Sequence, residues 1–239
     1  MNNWKLSPRH QAARWRAMLS PEYLLFSQTN GYPGWTLSQI ILLQGMVLLI
    51  IGLYSTFFGN AKQVFIQYCN EGELDRLLLK PVNLLYYIFA EGFSISNIGS
   101  VIAGIIIVVI SIIELNISIT PLFMVYFILS LLGSFLFYLT FDILFFCTTV
   151  FFIDTSRIIW VFAALQKFSN YPLELFSKAG QIILITILPF SIIAYFPTQI
   201  LLNHVELFLF IAIAASFLWF FFVLKLWSFT IKRYVSAGG

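Results

Sequence analysis

From Leu37 to Phe58, and again from Leu207 to Leu224, the chain carries no charged side chain. An α-helix advances about 1.5 Å per residue, so about 20 apolar residues cross a hydrocarbon slab about 30 Å thick. Three further runs reach that length: Leu84 to Ile113, whose one charge is Glu91; Pro121 to Ile153, whose one charge is Asp142; and Ile182 to Ile200, interrupted by Pro189 and Pro197. Hydrocarbon gives backbone N–H and C=O groups no partners, so only helices and closed barrels span it. These runs are far longer than the roughly ten-residue alternating strands of a barrel. A composition 60% hydrophobic, with a mean hydropathy of +0.93, is also more than one water-soluble core could hide. The expectation is an all-α integral membrane protein, a single transmembrane domain over residues 1–239 with five clear transmembrane helices. The run Pro121 to Ile153 would extend about 50 Å as one helix, so it must tilt, break near Asp142 or leave the membrane at its last turns.

Lys and Arg collect in short loops on the cytoplasmic side. If residues 60–83 are cytoplasmic, then Lys62, Arg76, Lys80, Arg157, Lys167, Lys178, Lys225, Lys232 and Arg233 fall on that side, and loops 114–120 and 197–206 hold none. The carboxyl terminus is then cytoplasmic too, in a multi-pass protein of the cell's inner (plasma) membrane. The amino-terminal stretch holds Lys5, Arg9, Arg14 and Arg16 but no adequate apolar run. Residues 1–36 are read as an interfacial segment or a degenerate first helix. A net charge of +3 and the lack of any basic block argue against nucleic acid. Cys69 and Cys147 have no disulfide or metal spacing, and His10 and His204 lie far apart in opposite terminal regions. No P-loop pattern G-x-x-x-x-G-K-S/T, H-E-x-x-H or G-x-S-x-G occurs, so no catalytic residue is assigned and any ATP must be hydrolysed on another chain.

Charge is scarce, at 10% of residues, yet GELDRLLLKP, Gly72 to Pro81, holds four charged side chains within loop 60–83. At 100° per residue Leu74, Leu77 and Leu78 share one face, while Glu73, Asp75, Arg76 and Lys80 occupy the rest. Gly72 eases the entry turn and Pro81 ends the element. Leu79 falls among the charges, as an apolar group does where a protein partner covers it. Periodicity alone allows a solvated linker helix equally well.

GELDRLLLKP, followed by Val82, Asn83 and Leu84, resembles the loop between the second and third helices in one family of type-2 ABC exporter membrane subunits, whose members run close to GELDRLLLRPLNPL. The stretches Asn170 to Leu173, Ile187 to Phe190, Ala194 to Thr198 and Arg233 to Gly239 are similar to that family's run through its fifth helix and to its ending. The resemblance extends in order over residues 34–239, with the decapeptide its specific part. It implies a permease that pairs with a second permease, the same chain or a paralogue, and with cytosolic ATP-binding cassette ATPases that carry ATP and Mg. Glu73, Leu74, Asp75, Arg76, Leu77, Leu78, Leu79 and Lys80 would then form the coupling helix that holds the ATPase. The family pattern has six spanning helices, and this chain departs from it before Gly34.

Inside the apolar runs, Glu91 and Asp142 are candidate pathway groups, because a charge at a helix centre costs about 2.5–3.5 kcal/mol and is retained where it faces a bundle interior or water. Hydration at an interface would account for either equally simply. Pro189 and Pro197 imply kinks or a broken helix, read either as a gate or re-entrant turn at the outer mouth or as ordinary helix shape. A second functional class stays open: an ion- or proton-coupled secondary transporter using Glu91 and Asp142, although no internal repeat accompanies them. A membrane scaffold without transport is a third. The transported molecule is not legible.

Overall fold

The computed structural model describes residues 32–118, 120–151 and 155–234, and the expected amino-terminal segment lies outside these apart from its last residues. Among the described residues the chain is all-α. Helix α1, Leu37–Phe58, begins at Thr36, whose side chain accepts from the Gln39 N–H while Gln39 caps the Thr36 N–H in return. A Gly59-Asn60 turn leads into α2, Ala61–Asn70, and then into α3, Glu73–Leu78. Helix α4, Leu84–Glu91, and α5, Ile98–Glu114, follow. The long α6, Pro121–Phe151, precedes α7, Thr155–Gln166. The rest comprises α8, Lys178–Ile182, with a wider-wound continuation to Ile187; α9, Tyr195–Leu201; and α10, Leu207–Lys232.

Among the described residues four segments are long and apolar enough to cross a membrane: Leu37–Asn70, Ile95–Glu114, Pro121–Phe151 and Leu207–Lys232. Two of the five expected spans therefore take a different form. The run Leu84 to Ile113 is split. Its first part stops at Glu91, and the break is pinned to the α1–α2 turn: Asn60 N–H donates to Gly92 O at 3.0 Å, and Ser94 N–H to Thr56 O at 2.8 Å. The polar cluster Ser94, Ser96, Asn97 suits the sequence to that break, since Asn97 reaches back to Ser55 O at 3.0 Å.

The run Ile182 to Ile200 is a hairpin whose two ends lie at the same end of the bundle, here termed upper because it holds the start of α1. Lys178 and Gln181 line one cavity with Tyr195, Glu206 and Phe208, and Leu201 and Asn203 meet Ile117 and Ser118. The hairpin's turn lies deep: Phe190 packs on Phe137 and Phe141 at 5.1 and 5.3 Å between ring centres, about 24 and 30 Å along α6 from Pro121. Pro189 causes the break. The turn of helix before it bonds five residues back, Leu188 N–H to Ile183 O at 2.9 Å. The next such bond would come from residue 189, which has no N–H. Ser191 Oγ–H supplies it, donating to Leu184 O at 2.8 Å, and Ser134 Oγ–H of α6 satisfies Ile192 O at 2.7 Å. Pro197 bends nothing, for it sits in the first turn of α9, where its missing N–H would have no partner.

The crossing that returns the chain from the lower end of α6 to the upper end is consequently made by α7 and residues 167–177. Lys178 belongs to the upper end, a correction to its expected place beside Lys62, Arg76, Lys80, Lys225, Lys232 and Arg233 at the lower end.

Helix α1 packs closely along α5, and glycine permits it. A Cβ on Gly104 would stand 2.5 Å from Leu49 N, and one on Gly52 would stand 2.8 Å from Val101 N. Between helices in lipid such small residues are what allow backbones to approach. Gly104→Leu should cost about 1–3 kcal/mol, read as a lower melting temperature of the detergent-solubilised protein. Gly99→Leu, where nothing lies within 4 Å of the added Cβ, should leave it unchanged.

Candidate functional site

The decapeptide folds as its pattern requires. Gly72 takes φ of 69°, a left-handed conformation that turns the chain out of α2 without a side-chain penalty. Helix α3 then points Leu74 and Leu77 inward, both buried, which stabilises its seat by about 1.5–3 kcal/mol per leucine. Leu78 stands at the rim rather than fully on that face, and Leu79 is 87% exposed, just past the helix end. Arg76 is exposed on the outer side and meets Glu73 at 3.8 Å, a surface pair of little energetic weight. Lys80 lies 5.4 Å over the Tyr87 ring of α4. Glu73 and Asp75 are half-buried. The helix thus presents Arg76, Leu78, Leu79 and Lys80 outward as one mixed surface.

Behind it lies a polar contact that reaches into the bundle. Asp142 of α6 is 2% exposed, with Lys62 Nζ of α2 at 2.8 Å from Oδ1 and the Tyr54 hydroxyl of α1 donating to Oδ2 at 2.7 Å. Tyr54 stacks on Tyr138 of α6, ring centres 4.7 Å apart. One turn further along α2, Phe65 fits between Phe146 of α6 and Trp227 of α10, at 4.6 and 5.8 Å. Helix α2, which carries the loop helix, is therefore joined to α1, α6 and α10 by one ion pair and one aromatic plug. Lys62 was legible only as a loop charge; the signal for it was Asp142 itself, a carboxylate that burial obliges to find a cation.

Glu91 lies elsewhere and in a different setting. It is exposed at the end of α4, outside the long apolar helices, and accepts a hydrogen bond from the Tyr68 hydroxyl of α2. Glu91 and Asp142 share no partner, so the structure does not bring the two acids into one relay. Pro189 and Pro197 belong to the upper hairpin, not to this lower surface. At the upper end Glu174, unremarked in the sequence, accepts from Trp35 Nε1–H at 2.9 Å and from the Tyr195 hydroxyl at 2.8 Å, tying the start of α1 to α9.

Removing one partner of a buried pair strands the other charge, at about 3–5 kcal/mol when both are fully buried. Lys62 keeps 29% exposure, which lowers the expectation. Lys62→Met should destabilise the protein by about 2 kcal/mol, and Lys62→Met with Asp142→Asn should recover part of it, since asparagine can still accept from Tyr54. Melting temperatures of the purified variants decide this; equal melting of Lys62→Met and the unaltered chain would show that the pair carries no stability.

A family model described as ABC-2 family transporter protein matches residues 19–238. Comparison with curated proteins and with solved structures gave no match. The matched region includes the loop helix, the Lys62–Asp142 pair and the upper hairpin, and on that extent the chain belongs to the ABC-2 family of transporter proteins, as a membrane permease of the ABC transporter type.

Proposed function

We propose that the chain is the permease subunit of an ATP-driven exporter, forming half of a translocation pathway with a second permease, and that residues 72–81 dock a separate cytosolic ATP-binding cassette subunit. ATP and Mg belong to that partner. The lower end then faces the cytosol of a cell whose inner (plasma) membrane holds the protein, in line with its Lys and Arg content.

The observation that carries the reading is Leu79. Two leucines of the same short helix are buried against the bundle, yet this one stands 87% exposed between Arg76 and Lys80. An apolar anchor ringed by charge is the composition of an interface centre, where the anchor supplies affinity and the charges supply register. Through α2, a displacement of this helix by the ATPase would reach Lys62 and Phe65, and through them α6 and α10. The alternative of a secondary transporter using Glu91 and Asp142 has less support, because those acids have separate partners.

Leu79→Asp places a charge in the docking surface without touching the bundle. The variant permease should reach the membrane in normal amount, yet lose the ATPase on affinity purification by about tenfold or more, as desolvating one unpaired charge costs a few kcal/mol. Normal ATPase recovery and turnover, both in Leu79→Asp and in the double variant Asp75→Lys, Arg76→Glu, would reduce α3 to a solvated linker.

A further inference from the structure

Two charges of opposite sign stand at the upper end of neighbouring segments without meeting. Lys178 opens α8, the first arm of the hairpin, and Glu206 caps the start of α10. Both line one cavity of about 340 Å³, with Gln181, Ile182, Ile185 and Phe208. Among the described residues neither side chain makes an ion pair or a hydrogen bond, with the other or with a third group. Glu174 lines the same cavity, but its two oxygens already accept from Trp35 and Tyr195. Glu206 is therefore the carboxylate left to bind something.

The cavity is graded from polar to apolar. Ile182 and Ile185 follow Lys178 by about one and two helical turns, and Phe208 follows Glu206 into α10, so the charges sit at the membrane's edge and the apolar groups toward its interior. The wider-wound turn after α8 packs against α10. Ile182, Leu207 and Phe208 are exposed, which opens this side to hydrocarbon. On its other side the cavity shares Glu174 and Glu206 with a second one of about 220 Å³, lined by the polar side chains of Gln39, Gln199 and His204. The space thus leads from hydrocarbon, past a cation, to a carboxylate and a polar recess.

We propose that this cavity binds a phospholipid whose head carries both a phosphate and a primary ammonium, with the phosphate on Lys178, the ammonium on Glu206 and an acyl chain along Ile182 and Phe208. Both polar contacts are charge-assisted hydrogen bonds, and both strengthen at the edge of a low-dielectric layer. A primary ammonium brings three N–H donors to the carboxylate, whereas a trimethylammonium brings none. An anionic head without an amine leaves Glu206 unmatched. A soluble zwitterion with the same head would satisfy the two charges but leave the apolar wall uncovered. The site is independent of the exporter reading, since it requires only that the chain span a membrane.

The test is native mass spectrometry of the full chain in dodecyl maltoside, titrated with dioctanoyl phosphatidylethanolamine, phosphatidylcholine or phosphatidylglycerol and read as the dissociation constant of the first lipid bound. Phosphatidylethanolamine should bind about tenfold tighter than the other two, the worth of one charged hydrogen bond. Glu206→Gln should erase that preference. Lys178→Gln should weaken phosphatidylethanolamine and phosphatidylcholine alike, by about tenfold, and Lys178→Arg should restore both. Equal binding of the three heads overturns the proposal, as does a preference that survives Glu206→Gln. The comparison of heads uses the unaltered chain, so it decides the matter even where a variant is not recovered. Glycerophosphoethanolamine, the same head without acyl chains, should fail to displace the lipid at equal concentration, for want of the chain methylenes that the apolar wall buries. Displacement at that concentration would assign the cavity to a soluble zwitterion and overturn the lipid.

Discussion

Hydrocarbon gives an N–H or a C=O nothing to bond to, and every departure from regular helix in this protein is shaped by that fact. Where the chain stays helical the ladder is self-sufficient, and α1, α5, α6 and α10 need only pack. Where it breaks, a side chain replaces the lost bond. Ser191 bonds the Leu184 carbonyl that Pro189 leaves open, Ser134 bonds Ile192 O, and Gln44 bonds Asn170 O. At the lower break Asn97 adds a second bond to Ser55 O, which already accepts from Gly59 N–H. These few polar residues let one chain build both straight spans and a hairpin that enters and leaves on one side.

The same scarcity of partners explains the lower surface. Asp142 is held by Lys62 and Tyr54, so its position on α6 is fixed relative to α2 and α1 at once. A buried pair of this kind adds little net stability over an apolar pair of the same shape, but it fixes register. Here the register fixed is that of the segment leading to α3. The loop helix is consequently seated by Leu74 and Leu77, rather than a loosely tethered loop, and Leu79 beside it stands exposed.

Helix class, the clean spans at Leu37–Phe58 and Leu207–Leu224, and the amphipathic loop helix were legible because each is a local pattern of apolar spacing. The family resemblance rested on the decapeptide, also local. What was not legible depended on distance. Lys62 and Asp142 are 80 positions apart, and nothing in either neighbourhood names the other. Lys178 looked like an ordinary loop cation on the lower side because hydropathy placed the crossing at Ile182–Ile200, the more apolar stretch. The chain instead crosses at α7 and residues 167–177, which are more polar, with residues 167–170 resting against the hairpin and α1. Glu91 looked intramembrane for a related reason: a window average does not register a break at Gly92 made by two backbone bonds to a neighbouring turn.

The hairpin is the element on which the path of the chain and the polarity of the two ends depend. Its most direct measurement is sidedness: Lys178→Cys, Glu206→Cys and Lys80→Cys, each in a chain with Cys69→Ser and Cys147→Ser, exposed to a membrane-impermeant maleimide in intact cells and again after the membrane is opened. The fold described here requires Lys178→Cys and Glu206→Cys to label from one side and Lys80→Cys from the other; with the lower end cytosolic, as proposed, the first two label in intact cells and Lys80→Cys only after opening. Labelling of Lys178→Cys together with Lys80→Cys would mean that Ile182–Ile200 is a through-going span, and would contradict the account.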